Sequence, residues 1–254
     1  MAMLEVNNLS IQFGGLRAVD GFNMTIEKGQ LYGLIGPNGA GKTTVFNLLT
    51  GVYKPTEGII RLDGQDITGK STIEINKAGI ARTFQNIRLF KNLTALDNVK
   101  IAMHKNIKYG TLQAILRTPN YYREEERVEQ QAEELLKVVH LYDKRNELAS
   151  NLPYGEQRRL EIARALATKP KVLFLDEPAA GMNPQETADL TRLIHQIKDD
   201  FHLTVILIEH DMSLVMTICE RIYVLDYGKC IANGVPEVIK NDKRVIKAYL
   251  GEDI

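Results

Sequence analysis

A glycine-rich segment has the residue types and spacing of a phosphate-binding loop. It matches the pattern G-x-x-x-x-G-K-[ST] with Gly36, Pro37, Asn38, Gly39, Ala40, Gly41, Lys42 and Thr43. Glycines allow successive backbone N–H groups to turn towards phosphate oxygens, and a helix that starts at the loop adds its partial positive charge. We expect Lys42 to reach the terminal phosphates and the Thr43 hydroxyl to bind Mg²⁺, with Thr44 also at the nucleotide. The alternative is a glycine turn followed by an incidental lysine.

Two carboxylates and one histidine have the placement expected of the catalytic half of such a site. Asp176 and Glu177 follow an apolar strand, and His210 follows the next strand along the chain. The carboxyl ends of parallel strands meet at one edge of a sheet, so these side chains are predicted to lie together. Asp176 would hold Mg²⁺, Glu177 would activate the attacking water, and His210 would contact the γ-phosphate. The alternatives are helix-capping acids and a surface histidine.

The elements that must position these residues form an α/β pattern. A strand is predicted before the loop at 31–35, and a helix after it at 43–50. Apolar strands at 172–175 and 204–208, joined by a helix at 184–198, form a βαβ unit and imply a parallel sheet. Further short strands are predicted at 4–6, 11–13, 22–26, 221–225 and 230–232, and the segment 58–64 is predicted to be a short strand that enters a tight turn. Between about 86 and 151, apolar residues recur at helical spacing among many charges, which predicts a helical insert.

Composition limits the classes of partner. The 254 residues contain 32 Lys and Arg against 32 Asp and Glu, so no charge excess indicates a surface for nucleic acid or anionic lipid. Cys219 and Cys230 have no metal-like spacing and are predicted to be small core residues of a protein in a reducing compartment. No apolar run approaches the ~18 residues of a membrane helix, so membrane association would require partner proteins.

The segment from Leu152 to Leu166, LPYGEQRRLEIARAL, resembles the LSGGQ signature and following helix of the ABC ATPase family. The resemblance covers essentially the whole chain and implies a P-loop NTPase (RecA-like) core with an antiparallel β subdomain and an inserted α-helical subdomain. Its implied boundaries are a core at 1–85 and 158–235, a helical subdomain with the signature at 86–157, and a helical tail at 236–254.

The resemblance also implies roles for residues outside the loop. Tyr154, Gly155 and Glu156 would clamp the γ-phosphate held by a partner subunit. Gln85 would touch Mg²⁺ and the attacking water, and Phe13 would stack on adenine, with a core strand residue as the alternative. This chain departs from the family pattern at three positions, which are Pro153 for serine, Tyr154 for glycine and Asn183 for aspartate.

Flanking motifs are similar to those of the larger ATP-binding subunit of branched-chain amino acid importers. These motifs are FGGLRAV at 13–19, RTFQ at 82–85, RLF at 88–90, AAGMNP at 179–184, IEHDM at 208–212 and AYLG at 248–251. The resemblance implies ATP and Mg²⁺ as cofactors and an ATP-sandwich dimer with an identical or sister ATPase subunit. It further implies two transmembrane permease subunits, an extracytoplasmic substrate-binding protein, no nucleic acid, and a peripheral location at the cytoplasmic face of the cell membrane.

Three alternatives stay open from the sequence. The chain could serve lipopolysaccharide export or urea uptake, whose ATPases look similar, or it could be an ABC ATPase that acts on DNA or ribosomes. The last class usually carries coiled coils or two ATPase modules in one chain, and neither pattern is present here.

Overall fold

The computed structural model describes residues 2–250 and contains, within that range, ten β-strands and ten α-helices. The strands are β1 (Ala2–Phe13), β2 (Leu16–Glu27), β3 (Leu31–Ile35), β4 (Glu57–Leu62), β5 (Gln65–Asp66), β6 (Ile80–Arg82), β7 (Val172–Asp176), β8 (Thr204–Ile208), β9 (Arg221–Asp226) and β10 (Lys229–Gly234). The helices are α1 (Lys42–Leu49), α2 (Thr72–Ala78), α3 (Ala95–Ala102), α4 (Thr111–Ile115), α5 (Pro119–Val138), α6 (Tyr154–Ala167), α7 (Pro184–Asp200), α8 (Met212–Ile218), α9 (Pro236–Lys240) and α10 (Lys243–Leu250). The α/β class predicted from the sequence is confirmed.

The described residues divide into two compact units. One contains residues 2–82 and 171–250, and the other contains residues 83–170. This division differs from the predicted one, which returned to the core at 158. All of α6 belongs to the second unit because it packs against α3 and α5. The predicted tail contains α9 and α10, whereas its residues 251–254, and with them Gly251 of the AYLG motif, lie outside the described residues.

A six-stranded sheet in the first unit brings the predicted site residues to one edge. Its strand order is β10-β9-β3-β8-β7-β6, and every neighbouring pair is parallel except β9 with β10. Strands β3, β7 and β8 are buried at every position, as expected for central parallel strands covered on both faces. The loop that follows β3 and the acids at the end of β7 therefore start from rigid strands that are separated only by β8.

A second sheet in the same unit is antiparallel, with order β2-β1-β4-β5. The two short strands predicted at 4–6 and 11–13 are wrong as separate elements, because β1 runs through both. The strand passes through the polar pair Asn7-Asn8 with an irregularity in its pairing to β2, where Asn8 lies in the left-handed region at φ 51°.

The hydrophobic core of the first unit joins α1 to both sheets. Phe46 of α1 packs edge-to-face on Phe174 of β7, with ring centroids 4.9 Å apart. Both rings are fully buried, and burial of each contributes about 1.5–3 kcal/mol. This contact fixes the start of α1, where the glycine-rich loop ends, relative to the end of β7.

The second unit is a group of helices, as predicted. Val128, Ala132 and Leu136 form the buried stripe of α5. The charged run at 123–127 has a sequence typical of a fully solvated helix face, but it is only partly exposed to solvent. Glu124 is buried and accepts hydrogen bonds from the Lys108 amide and the Arg127 guanidinium.

Among the helices of residues 2–250, none has both the length and the apolar character needed to cross a membrane.

Candidate functional site

The glycine-rich loop connects β3 to α1 and has a conformation that requires glycine at two positions. Gly36 has φ +153°, and a Cβ there would lie 2.2 Å from the Leu225 carbonyl oxygen. Gly41 has φ +102°, and a Cβ there would approach the Ala18 carbonyl oxygen to 3.0 Å. The Gly228 amide also donates to the Ala40 carbonyl at 2.9 Å. The loop is thus wedged against neighbouring backbone on one side, while Asn38, Gly39 and Thr43 are exposed.

The Lys42 side chain folds back into this loop. Its Nζ donates to the carbonyl oxygens of Gly36 and Pro37 at 2.7 and 3.0 Å. Burial lowers the pKa of Lys42, and the negative charge of Glu177 opposes that shift. An ammonium group therefore lies inside the loop, where it can pair with a polyanion.

Asp176, the last residue of β7, is held by Arg82, the last residue of β6. The guanidinium Nη2 lies 2.6 Å from Oδ2 of Asp176, and both side chains are almost fully buried. Arg82 also donates to the side-chain oxygens of Asn47 and Thr50 at the end of α1. The carboxylate predicted to bind metal is thus oriented by a cation that sequence reasoning did not assign to the site. Its only sequence signal is its place three residues before Gln85 in the RTFQ motif, because the pairing of β6 with β7 cannot be recognised from the sequence.

Glu177 and His210 are brought together, as their positions after β7 and β8 predicted. The Glu177 amide donates to the Ile208 carbonyl at 2.9 Å, and Oε1 of Glu177 lies 3.7 Å from Nδ1 of His210. Glu177 has a left-handed backbone with φ 45°, which is uncommon for a residue with a side chain and tends to occur at functional sites. A carboxylate and an imidazole at this separation can both form hydrogen bonds to one water molecule, or pass a proton between them.

Phe13 is not a core residue. It is 44% exposed at the end of β1, and its ring packs edge-to-face on Tyr53 with centroids 5.2 Å apart. An exposed aromatic face is compatible with the predicted adenine contact, which stays a prediction.

The second unit contains Gln85 and the signature residues, and a single buried arginine connects them. The guanidinium of Arg158, on α6, donates to the carbonyls of Phe84 and Gln85 at 2.6 and 2.8 Å and to the Tyr154 hydroxyl at 3.2 Å. Arg158 is completely buried and pairs with Glu161 at 2.9 Å. Neither residue of this pair was predicted from the sequence to belong to the site.

Glu161 holds the other side of the same backbone segment. Its carboxylate accepts from the amides of Phe84 and Arg88, both at 3.3 Å. Burial raises the pKa of Glu161, and the charge of Arg158 opposes the rise. The glutamine segment and the start of α6 are therefore parts of one hydrogen-bonded network.

The signature residues themselves are arranged as a helix N-terminus. Pro153 is the N-cap of α6, so Tyr154 and Gly155 begin its first turn, where backbone N–H groups have no helical acceptor. Glu156 binds the Lys144 ammonium with both carboxylate oxygens at 2.8 Å. Asn183, in the first unit, caps α7 in a reciprocal capping box with Glu186, a role that Asn and Asp fill equally well.

Comparison with protein families accounts for this combination of loop and carboxylates. The family described as ABC transporter matches residues 19–180, which include the glycine-rich loop, the signature segment and both acids. The chain belongs to the ABC transporter family. It is an ATP-hydrolysing enzyme of that family, and residues 229–254 also match the family described as branched-chain amino acid ATP-binding cassette transporter.

Curated relatives of this ABC ATPase match it over nearly their full length. It is 50% identical to the high-affinity branched-chain amino acid transport ATP-binding protein BraF of Pseudomonas aeruginosa, over 98% of both chains. Identity to the protein of the same description, LivG, of Escherichia coli is 48%, again over 98% of both chains. The lipopolysaccharide export system ATP-binding protein LptB of Escherichia coli is 36% identical, over 100% of this chain and 99% of its own.

Solved structures show the same fold. The ADP conformation of MJ1267, an ATP-binding cassette of an ABC transporter, superposes with a TM-score of 0.86 at 32% identity, over 99% of this chain and 100% of that one. A dimeric post-hydrolysis state of the cassette MJ0796, bound to ADP and Pi, has a TM-score of 0.77 at 26% identity, over 92% and 99% of the two chains. The predicted P-loop NTPase fold with its β and helical subdomains is confirmed.

Proposed function

We propose that this chain is the ATP-hydrolysing subunit of an importer for the branched-chain amino acids leucine, isoleucine and valine. The observation that carries the proposal is the 50% identity to BraF across 98% of both chains, against 36% to LptB. The C-terminal match at 229–254 supports the same substrate class. Nothing in the ATPase site itself selects the amino acid, because the site handles only the nucleotide.

The residues of the first unit support the following division of labour in ATP hydrolysis. The loop amides and the Lys42 ammonium bind the β- and γ-phosphates. Glu177 orients and deprotonates the attacking water, and His210, 3.7 Å from it, contacts the γ-phosphate. Arg82 keeps the Asp176 carboxylate aimed at the phosphate end of the site.

The donor set fits Mg²⁺, which prefers oxygen ligands. Thr43 offers an exposed hydroxyl at the start of α1, and Asp176 offers a carboxylate oriented by its ion pair. Gln85 would add an amide oxygen. When bound with ATP, the ion would offset the charge of the β- and γ-phosphates.

The active unit in this proposal is a pair of ATPase subunits, identical or sister, with ATP between them. The dimeric cassette MJ0796 supports the pairing. Tyr154, Gly155 and Glu156 of one subunit face the nucleotide of the other, with the helix N-terminus supplying attraction in place of the missing serine hydroxyl. Residues 86–105 contact two permease subunits at the cytoplasmic face of the membrane, and an extracytoplasmic protein delivers the amino acid.

Copurification followed by transport tests this function. The tagged chain is expressed in its native host, extracted from membranes in mild detergent, and reconstituted into vesicles with the proteins that accompany it. We expect two permease proteins to accompany it. With the extracytoplasmic substrate-binding protein added, we expect radiolabelled leucine to be taken up only with ATP on the ATPase side. Reconstitution with Glu177→Gln is the matched control.

Two results would contradict the proposal. One is copurification with membrane proteins of lipopolysaccharide export and no amino acid uptake. The other is an ATPase that nucleic acid stimulates and that no membrane protein accompanies.

A further inference from the structure

Glu209 is a buried carboxylate that the division of labour above does not use. It follows β8 directly and is only 1% exposed. Burial of a carboxylate is costly unless its oxygens accept hydrogen bonds. Here Oε1 accepts from the Ala179 amide at 3.0 Å, and Oε2 accepts from the His210 amide at 3.3 Å.

These two hydrogen bonds connect the turns that carry the proposed catalytic side chains. Ala179 lies two residues after Glu177 in the turn that leaves β7, and His210 lies in the turn that leaves β8. The backbone already joins the turns once, through the Glu177 amide and the Ile208 carbonyl. Glu209 adds a second connection two residues after Glu177, whose left-handed backbone needs support from its surroundings.

Both the burial of Glu209 and the nearby charge of Glu177 disfavour its ionised form. Burial raises the pKa of Glu209, the Glu177 charge raises it further, and the amides of Ala179 and His210 oppose both effects. The neighbouring Cys219 thiol has its pKa raised by burial first and then by the charge of Glu209. A carboxylate kept in such a place is expected to serve the geometry of the two turns rather than stability alone.

We propose that Glu209 is a positioning residue for ATP hydrolysis, which sets the separation between the Glu177 carboxylate and the His210 ring by holding both turn backbones. The inference rests on the proposed catalytic roles of Glu177 and His210.

The first test compares kcat and KM for ATP in the full chain, purified in the membrane complex that it forms. Glu209→Ala removes both hydrogen bonds, and we expect kcat to fall by about tenfold or more while KM stays within about twofold, because the phosphate loop lies on other elements. Glu209→Gln keeps the volume and one acceptor oxygen, so its kcat is expected to lie between wild type and Glu209→Ala.

Asp211→Ala is the matched control. Asp211 also accepts two backbone hydrogen bonds in the same turn, from the amides of Ser213 and Leu214, but it does not reach the turn of Glu177. We expect its kcat to stay within about twofold of wild type, although the lost cap costs about 1 kcal/mol of stability. An equal loss of kcat in both variants, or an unchanged kcat in Glu209→Ala, would overturn the inference. If Glu209→Ala does not fold, Glu209→Gln decides by the same criterion.

A double-mutant cycle provides a readout that general destabilisation would not move. In a His210→Ala background the separation that Glu209 sets no longer exists, so the further loss from Glu209→Ala should shrink. An equal fold-loss in both backgrounds would refute the positioning role. Failure of the catalytic assignment is separable, because it would appear as ATP turnover by Glu177→Gln.

Discussion

At the scale of single residues, the geometry assigns different tasks to the two acids at the end of β7. Asp176 is buried and paired with Arg82, whereas Glu177 retains partial exposure and faces His210. The first arrangement suits a ligand of fixed orientation, and the second suits a group that must meet water. Adjacent residues can take such different roles because Asp176 is the last residue of β7, whereas Glu177 lies outside the strand with a left-handed backbone.

Replacement of Glu177 by glutamine tests the second role. The amide keeps the volume and the acceptor oxygen but cannot take a proton from water, so we expect turnover to fall by about 10²–10⁴-fold. Affinity for ATP, measured by equilibrium titration, should remain within about twofold because the phosphate loop is unchanged. Turnover close to that of wild type would contradict the assignment.

At the scale of elements, continuity of sequence determined what could be predicted. Strands β3, β7 and β8 are largely apolar runs that end next to the loop or the site residues. Their positions in the chain and the burial of their side chains could therefore be predicted from the sequence. Pairings between distant elements could not, because periodicity shows which side chains are buried but not which partner each one meets. Arg82 and Asp176 are 94 positions apart, and Arg158 and Gln85 are 73 apart.

The network around Arg158 makes an element-scale prediction. Arg158→Ala leaves Glu161 buried without its main cation, so the free energy of unfolding should fall by about 3–5 kcal/mol. The double variant Arg158→Met with Glu161→Gln removes the uncompensated charge and should recover part of that loss. Chemical denaturation monitored by circular dichroism measures both variants. Equal stability of Arg158→Ala and wild type would contradict the role of the pair.

The pH dependence of the Arg158→Ala variant has a defined sign. Burial raises the pKa of Glu161, and loss of Arg158 removes the charge that opposes this rise. A carboxyl whose pKa is raised by folding favours the folded state in its protonated form, and that contribution is lost as pH increases above the unfolded value. The deficit of the variant relative to wild type should therefore be smaller near pH 5 than near pH 8.

At the scale of the whole molecule, the first unit holds the glycine-rich loop, Asp176, Glu177 and His210, while the second holds Gln85 and the signature helix. ABC family membership, confirmed by the family match over residues 19–180, was predictable from the signature and the loop together. The identity of the ATPase partner and of the membrane subunits depends on other chains, so one sequence does not determine it.

The central claim is that the loop from Gly36 to Thr43 binds the triphosphate of ATP through main-chain amides and the Lys42 ammonium. The most direct measurement is titration of the full chain with Mg²⁺-ATP, followed by steady-state hydrolysis, for wild type, Lys42→Ala and the exposed-lysine control Lys77→Ala. We expect Lys42→Ala to weaken ATP binding by about tenfold or more, the equivalent of one charge-assisted hydrogen bond of 1.5–3 kcal/mol, and to abolish turnover. Lys77→Ala should behave as wild type. Unchanged ATP affinity and turnover in Lys42→Ala would contradict the claim.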